Sequence, residues 1–175
     1  MSDDEVEDDV RLFPDLGALP TADRPIRVRF VNYCPFSIDV FWMNVRKQPT
    51  KYGRLGYKKY LDIQTYEKHP WVARRAYDGL KLQMNKKPIY WPQPIVRNNQ
   101  IRSVIVRQNI SITFEAQTLK DCAAFALLRY PDIIQQQHHI LPRELQMQLR
   151  RLVATKDEYS RHVCQVVPPL FRSSP

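Results

Sequence analysis

Cysteine is scarce in this 175-residue chain: Cys34, Cys122 and Cys164 are far apart, and no C-x-x-C pair occurs. Neither a disulfide framework nor a zinc ribbon is indicated, and each thiol reads most simply as a small buried or half-buried side chain. Glycine is limited to four residues, with no Gly-rich phosphate loop, and neither G-x-S-x-G nor H-E-x-x-H is present. His138 and His139 are adjacent, so they diverge on any regular element, and no cysteine or acid lies at ligand spacing. They read as solvated polar residues. Catalysis therefore has little support, and no metal or cofactor is expected. Apolar runs stop well short of the roughly 20 residues a membrane helix needs. The opening MSDDEVEDDV has no basic start and no apolar stretch of a signal peptide. The expectation is a soluble, intracellular protein.

Apolar residues make up 43% and charged residues 26%, which excludes a largely disordered or collagen-like chain. The length fits one domain with at most a small appendage, and it can bury a core without staples. Charge is unevenly placed. Six of the 18 acids and none of the 27 bases lie in residues 1–10, so the remainder is far more basic than the net charge of +9. Such a body either seeks an anionic partner, nucleic acid first, or keeps a broad solvated basic face.

Residues 1–24 read as an acidic flexible tail. From Pro25 the pattern has period two: Ile26-Arg27-Val28-Arg29-Phe30 alternates apolar and basic residues as a half-buried strand requires. A second strand is expected over Ile38–Asn44, with Val40 and Trp42 on one face. Further strand-like stretches are Tyr60–Gln64, Trp71–Arg74, Leu80–Met84, Ile89–Trp91, Ile101–Val106 and Ile110–Phe114. Turn signals separate them, including Gln48-Pro49, Tyr52-Gly53, Leu55-Gly56 and Asp78-Gly79. At Thr118, a good N-cap, the character changes. Leu119, Cys122, Ala123, Ala126, Leu127 and Tyr130 fall on one helical arc, which Pro131 should end. The polar stretch Gln135–His139 should connect to a second helix with Pro142 in its first turn and an apolar stripe of Leu145, Leu149 and Leu152. A third helix is expected over Asp157–Gln165.

The fold class is thus α+β: an antiparallel β-sandwich of about seven strands followed by a small α-helical module. A module of about 40 residues is too small to bury its leucine stripes alone. Either the helices lie on the β module or the stripes await a partner. Within the β module, Trp42, Tyr52, Thr65, Tyr66, His69 and Trp71 are concentrated in thirty residues. Aromatics with one polar tip suit a pocket that stacks on an apolar ring and bonds a hydroxyl; they equally suit a core.

Residues 30–79, from FVNYCPFSIDVFWMN through PTKYG and QTYEKHPW to YDG, resemble the β domain of the von Hippel–Lindau (VHL) family, and TLKDCAAFAL resembles its elongin-C-binding helix. The likeness covers about residues 25–165. It implies residues 25–116 as a substrate-recognition β domain, 117–155 as an α domain for elongin C and cullin, and 156–175 as a last helix packing on the β domain with a C-terminal tail. It implies a non-catalytic substrate-recognition subunit of an elongin B/C–cullin-2 E3 ubiquitin ligase with a RING-box protein, acting in cytoplasm and nucleus. The implied substrate is hypoxia-inducible factor α carrying 4-hydroxyproline.

By the same resemblance, Trp42 packs against the hydroxyproline ring, Trp71 forms the floor, and Tyr52 bonds the carbonyl region. Thr65, where the family usually has serine, and His69 would bond the 4-hydroxyl, with Gln64 and Tyr66 touching flanking peptide. Leu119, Cys122, Ala123 and Leu127 would meet elongin C, with Ala123 at the family's cysteine position. Leu141, Pro142 and Leu145 would lie near the cullin. Twelve bases against three acids between Arg46 and Lys87 would suit an acidic peptide. The alternative is a basic β-barrel that binds single-stranded nucleic acid, with Trp42, Tyr52 and Trp71 as stacking platforms.

Overall fold

A computed structural model describes residues 11–16, 24–44, 46, 48–94 and 106–165. Among the described residues, seven strands form one sheet: β1 Pro25–Asn32, β2 Ile38–Met43, β3 Pro49–Leu55, β4 Tyr60–Tyr66, β5 Trp71–Arg75, β6 Lys81–Met84 and β7 Gln108–Thr113. Their order is β3-β2-β5-β6-β7-β1-β4. All neighbours are antiparallel except β1 and β7, which run parallel. The sheet is therefore mixed, and it rolls until its two edges approach. Gly53 on β3 faces Leu61 on β4 so closely that a Cβ there would lie 3.2 Å from the leucine. The alternation expected in β1 supplies Ile26, Val28 and Phe30 to the interior, where they meet Val40, Trp71, Ala73, Leu82 and Ile112.

β2 and β5 are buried on both faces. Their outer side chains Phe41, Met43 and Val72 join a second cluster with Leu12 and Tyr159. Residues 11–16 therefore do not belong to a flexible tail. Leu12 is buried, its carbonyl accepts from Nε and Nη2 of Arg74 at 2.9 and 2.7 Å, and Phe13 packs edge-on to Phe41. Burial pulls the Arg74 guanidinium down to about 10, which makes those carbonyl bonds necessary.

Two strand expectations fail for identifiable reasons. β3 runs straight through Tyr52-Gly53, which reads as a turn, because a bulge opposite Val40 and Phe41 absorbs one extra residue there, whereas Gln48-Pro49 and Leu55-Gly56 mark its start and end. Ile89–Trp91 makes a single bridge, Trp71 with Tyr90, since Pro88 and Pro92 have no N–H for a ladder. Of Ile101–Val106, residues 101–105 lie outside the described ones, and Val106 is in no strand.

The helices are α1 Leu119–Leu127, α2 Pro131–Gln137 and α3 Arg143–Gln165, with a 3-10 turn His138–Ile140. Thr118 caps α1 as expected: its hydroxyl accepts the Asp121 amide at 3.1 Å, and the Asp121 carboxylate accepts the Thr118 amide. Pro131 does not merely end α1; it opens α2, so the polar stretch Gln135–His139 is helical. Asp157–Gln165 is not a separate helix. No proline or glycine interrupts residues 143–165, and the expected boundary at 155/156 falls inside one 23-residue helix. Its first half lies beside α1, with Ala124, Leu128 and Leu149 buried. Its second half lies on the sheet, where Tyr159 donates to Asp39 at 2.6 Å and covers Gly79, whose φ of +75° and lack of Cβ leave room for the ring.

Candidate functional site

Trp42 and Trp71 are register partners at the ends of β2 and β5. The bulge in β3 leaves Tyr52 as the extra residue, so Tyr52 joins Gly53 on the inner side of the sheet. Its ring meets Trp71 edge-on at 4.9 Å and Trp42 at 6.3 Å. Thr65 is the inward, buried residue of β4, and its hydroxyl accepts the Trp71 indole N–H at 3.0 Å. His69 follows a turn in which Lys68 takes a φ of +62°. The Lys68 amide donates to Pro92, the His69 amide donates to Tyr66, and the imidazole stacks on Trp42 at 5.2 Å. Five residues singled out in the sequence thus form one aromatic box.

The protonation states follow from burial. Burial lowers the His69 pKa below 6.5, so the ring is neutral at neutral pH and offers one donor and one acceptor. Burial raises the Tyr52 pKa, so its phenol keeps its proton. The Thr65 oxygen accepts from Trp71 through one lone pair, and its own O–H can still serve as a donor. Among the described residues, the buried Trp42 indole N–H has no acceptor. These donors border indole faces, an arrangement that suits a small aliphatic ring bearing a hydroxyl.

The remaining site residues divide. Tyr66 reaches the rim, its ring 5.3 Å from His69. Gln64 does not join the box: it alternates with Thr65 on β4 and instead lines a shallow cleft with Arg27, Asp62 and Arg107. Trp71 cannot be a stacking platform for bases, because it is 1% exposed and packed against Phe30 and Tyr52. Phe30 and Tyr90, which support Trp71 from below, were not signalled in the sequence beyond strand alternation. Cys34 is a buried core thiol that burial pushes up to about 11, which removes it as a nucleophile.

On α1 the expected apolar arc faces outward. Leu119 is 87% exposed, Cys122, Ala123, Ala126 and Tyr130 are exposed, and Leu127 is half-buried. The inward arc is Ala124, Phe125 and Leu128, with Phe125 against the Arg75 guanidinium, 4.6 Å from the ring centroid. Arg75 also lies over Phe36 and pairs with Asp78, tying the sheet to α1. At the start of α3, Leu141 and Leu145 are half-buried and Pro142 is exposed, beside Ile140 and Met147, both exposed.

A family model described as the VHL beta domain matches residues 21–98, the segment that carries β1 to β6 and the whole aromatic box. The chain is also similar to Protein Vhl of Drosophila melanogaster, 24% identical over 147 residues that span 78% of this chain and 82% of that protein. Fold order, box residues and both matches support a divergent member of the VHL family, with its VHL beta domain over residues 21–98.

Proposed function

We propose that the chain is a non-catalytic substrate receptor of a ubiquitin ligase. Its β domain reads 4-hydroxyproline in hypoxia-inducible factor α, and its helices engage elongin C, with elongin B, cullin-2 and a RING-box protein completing the assembly. The proposed division assigns the aromatic box to substrate and the outer arc of α1, Leu119, Cys122, Ala123 and Leu127, to the adaptor, with Leu141, Pro142 and Leu145 toward the cullin. Cytoplasm and nucleus are the proposed sites of action.

The observation that carries this reading is the Thr65–Trp71 hydrogen bond, which turns a buried hydroxyl into a directed donor at the floor of the box. Unmodified proline would leave that donor and the His69 ring unpaired, at about 1–3 kcal/mol per group. A site built around a hydroxyl rejects its absence far better than an apolar pocket rejects a methylene. The exposed Leu119 supports the adaptor part, since a charge-free apolar arc facing water is what a helical partner would cover.

The test is calorimetry with two acidic peptides that differ only in the 4-hydroxyl. The hydroxylated peptide is expected to bind tighter by roughly 2–5 kcal/mol. Equal affinities would overturn the reading and return the box to core duty.

A further inference from the structure

A second surface gathers aromatic and basic side chains at the opposite end of β4. The turn between β3 and β4 is pinned to the end of β1: the Lys58 amide donates to the Asn32 carbonyl at 2.9 Å, and the Asn32 amide donates to the Lys59 carbonyl at 3.0 Å. Lys58 takes a φ of +58° in this turn. Around the pin stand Tyr33, Tyr57 and Tyr60, exposed by 56%, 53% and 56%. Lys58 and Lys59 are exposed between them, and the Lys58 ammonium lies 5.1 Å from the Tyr57 ring centroid. The Arg29 guanidinium lies 4.0 Å from the Tyr60 centroid. Asp62, the acid on the adjacent outward position of β4, is taken up by two 2.7 Å bonds from Arg29 and by Arg107 at 3.7 Å.

Single exposed tyrosines need no explanation, but three half-exposed rings around a pair of lysines do. An apolar partner would have to desolvate the lysines. An acidic peptide would use the lysines and leave the rings idle. A single-stranded nucleic acid uses both, with phosphates on the ammonium groups and unstacked bases on the ring faces. A duplex hides its base faces and can use only the charges. We infer that Tyr33, Tyr57, Tyr60, Lys58 and Lys59 form a binding site for single-stranded nucleic acid. The site is separate from the aromatic box: Tyr60 and Thr65 are about 17 Å apart along β4 and point to opposite faces. The inference does not rest on the hydroxyproline reading.

The experiment is fluorescence anisotropy on the full chain with labelled mixed-sequence strands of about 12 nucleotides, within the span a small β-barrel covers. One arm uses DNA and one uses RNA, and a strand of either kind that binds roughly tenfold tighter than the matching duplex supports the site. Tyr57→Ala with Tyr60→Ala is expected to weaken single-strand binding at least roughly tenfold. Lys58→Gln with Lys59→Gln is expected to lower the log–log salt slope by about 1.4. Both variants are expected to keep wild-type melting and wild-type affinity for a hydroxylated peptide, so the two sites succeed or fail separately. Equal binding of duplex and single strand would overturn the inference. So would an unchanged affinity in the tyrosine variant, or displacement by poly-glutamate as readily as by an oligonucleotide of equal charge.

Discussion

Replacing Thr65 with valine keeps the side-chain shape and removes one oxygen, and the structure assigns that oxygen two duties. In the free protein it accepts the Trp71 indole N–H at 3.0 Å in a position 3% exposed. Thr65→Val leaves that N–H buried and unpaired, so the variant should be less stable by about 1–3 kcal/mol, read as a lower urea midpoint at unchanged slope. In the proposed complex the same oxygen donates to the ligand hydroxyl. Loss of that bond should weaken the hydroxylated peptide by about 1–3 kcal/mol, roughly five- to 150-fold, and leave the unmodified peptide within about twofold. Thr65→Ser should restore both quantities. Trp71→Phe isolates the structural part: in that background no N–H is orphaned, so Thr65→Val should cost less stability, with a coupling of about 1 kcal/mol or more. Calorimetry with both peptides, alongside denaturation of the five proteins, gives the comparison. A Thr65→Val protein that is destabilised as expected but still prefers the hydroxylated peptide undiminished would refute the argument that Thr65 reads the hydroxyl.

Leu119→Asp should leave the stability of the isolated chain within about 0.5 kcal/mol, because the side chain is 87% exposed, and should abolish co-purification with elongin C. Retained elongin C would contradict the adaptor face. Burial alone would raise the pKa of Asp39, but hydrogen bonds from Arg54, Lys51 and Tyr159 outweigh it and hold the carboxylate below its ordinary 3.8. A depressed carboxylate stabilises the fold above its unfolded pKa and loses that contribution as pH falls through the folded value. Asp39→Asn should therefore cost roughly 3–5 kcal/mol at neutral pH and flatten the acid limb of a urea series. His69 has the same sign for a different reason: burial favours the neutral ring, so peptide affinity should be level above the ordinary 6.5 and fall as the ring protonates below it. His69→Gln should remove that pH dependence; an affinity that rises on acidification would show that the charged ring binds.

How far the molecule is legible in its sequence depends on whether the cause is local. The alternation in Ile26–Phe30, the common face of Val40 and Trp42, and the cap at Thr118 depend on neighbours two to four residues away, and each appears as read. The same holds for the apolar arc of α1, which periodicity identified as a face without saying where the face points. The turn dipeptide Tyr52-Gly53 misled because the bulge that accommodates it is created by pairing with Val40 and Phe41 on β2, which no two-residue signal reports. That bulge is also what aims Tyr52 into the box.

Local pattern suffices for the strand-then-helix order, the start of α1, and the set of aromatic and hydroxyl residues from which the box is made. Tertiary structure alone decided that β1 and β7 run parallel, that residues 11–16 close over β2 and β5, and that residues 143–165 are one helix spanning both packing partners. It also decided that Thr65 turns inward while Gln64 turns away, and that Leu119 faces solvent. Those outcomes rest on burial against distant segments. Arg74 needs the carbonyl of Leu12, and Asp39 needs the phenol of Tyr159, partners 62 and 120 positions away. Hydrophobic pattern specifies which residues must leave water; only the folded chain specifies against which neighbours they do so.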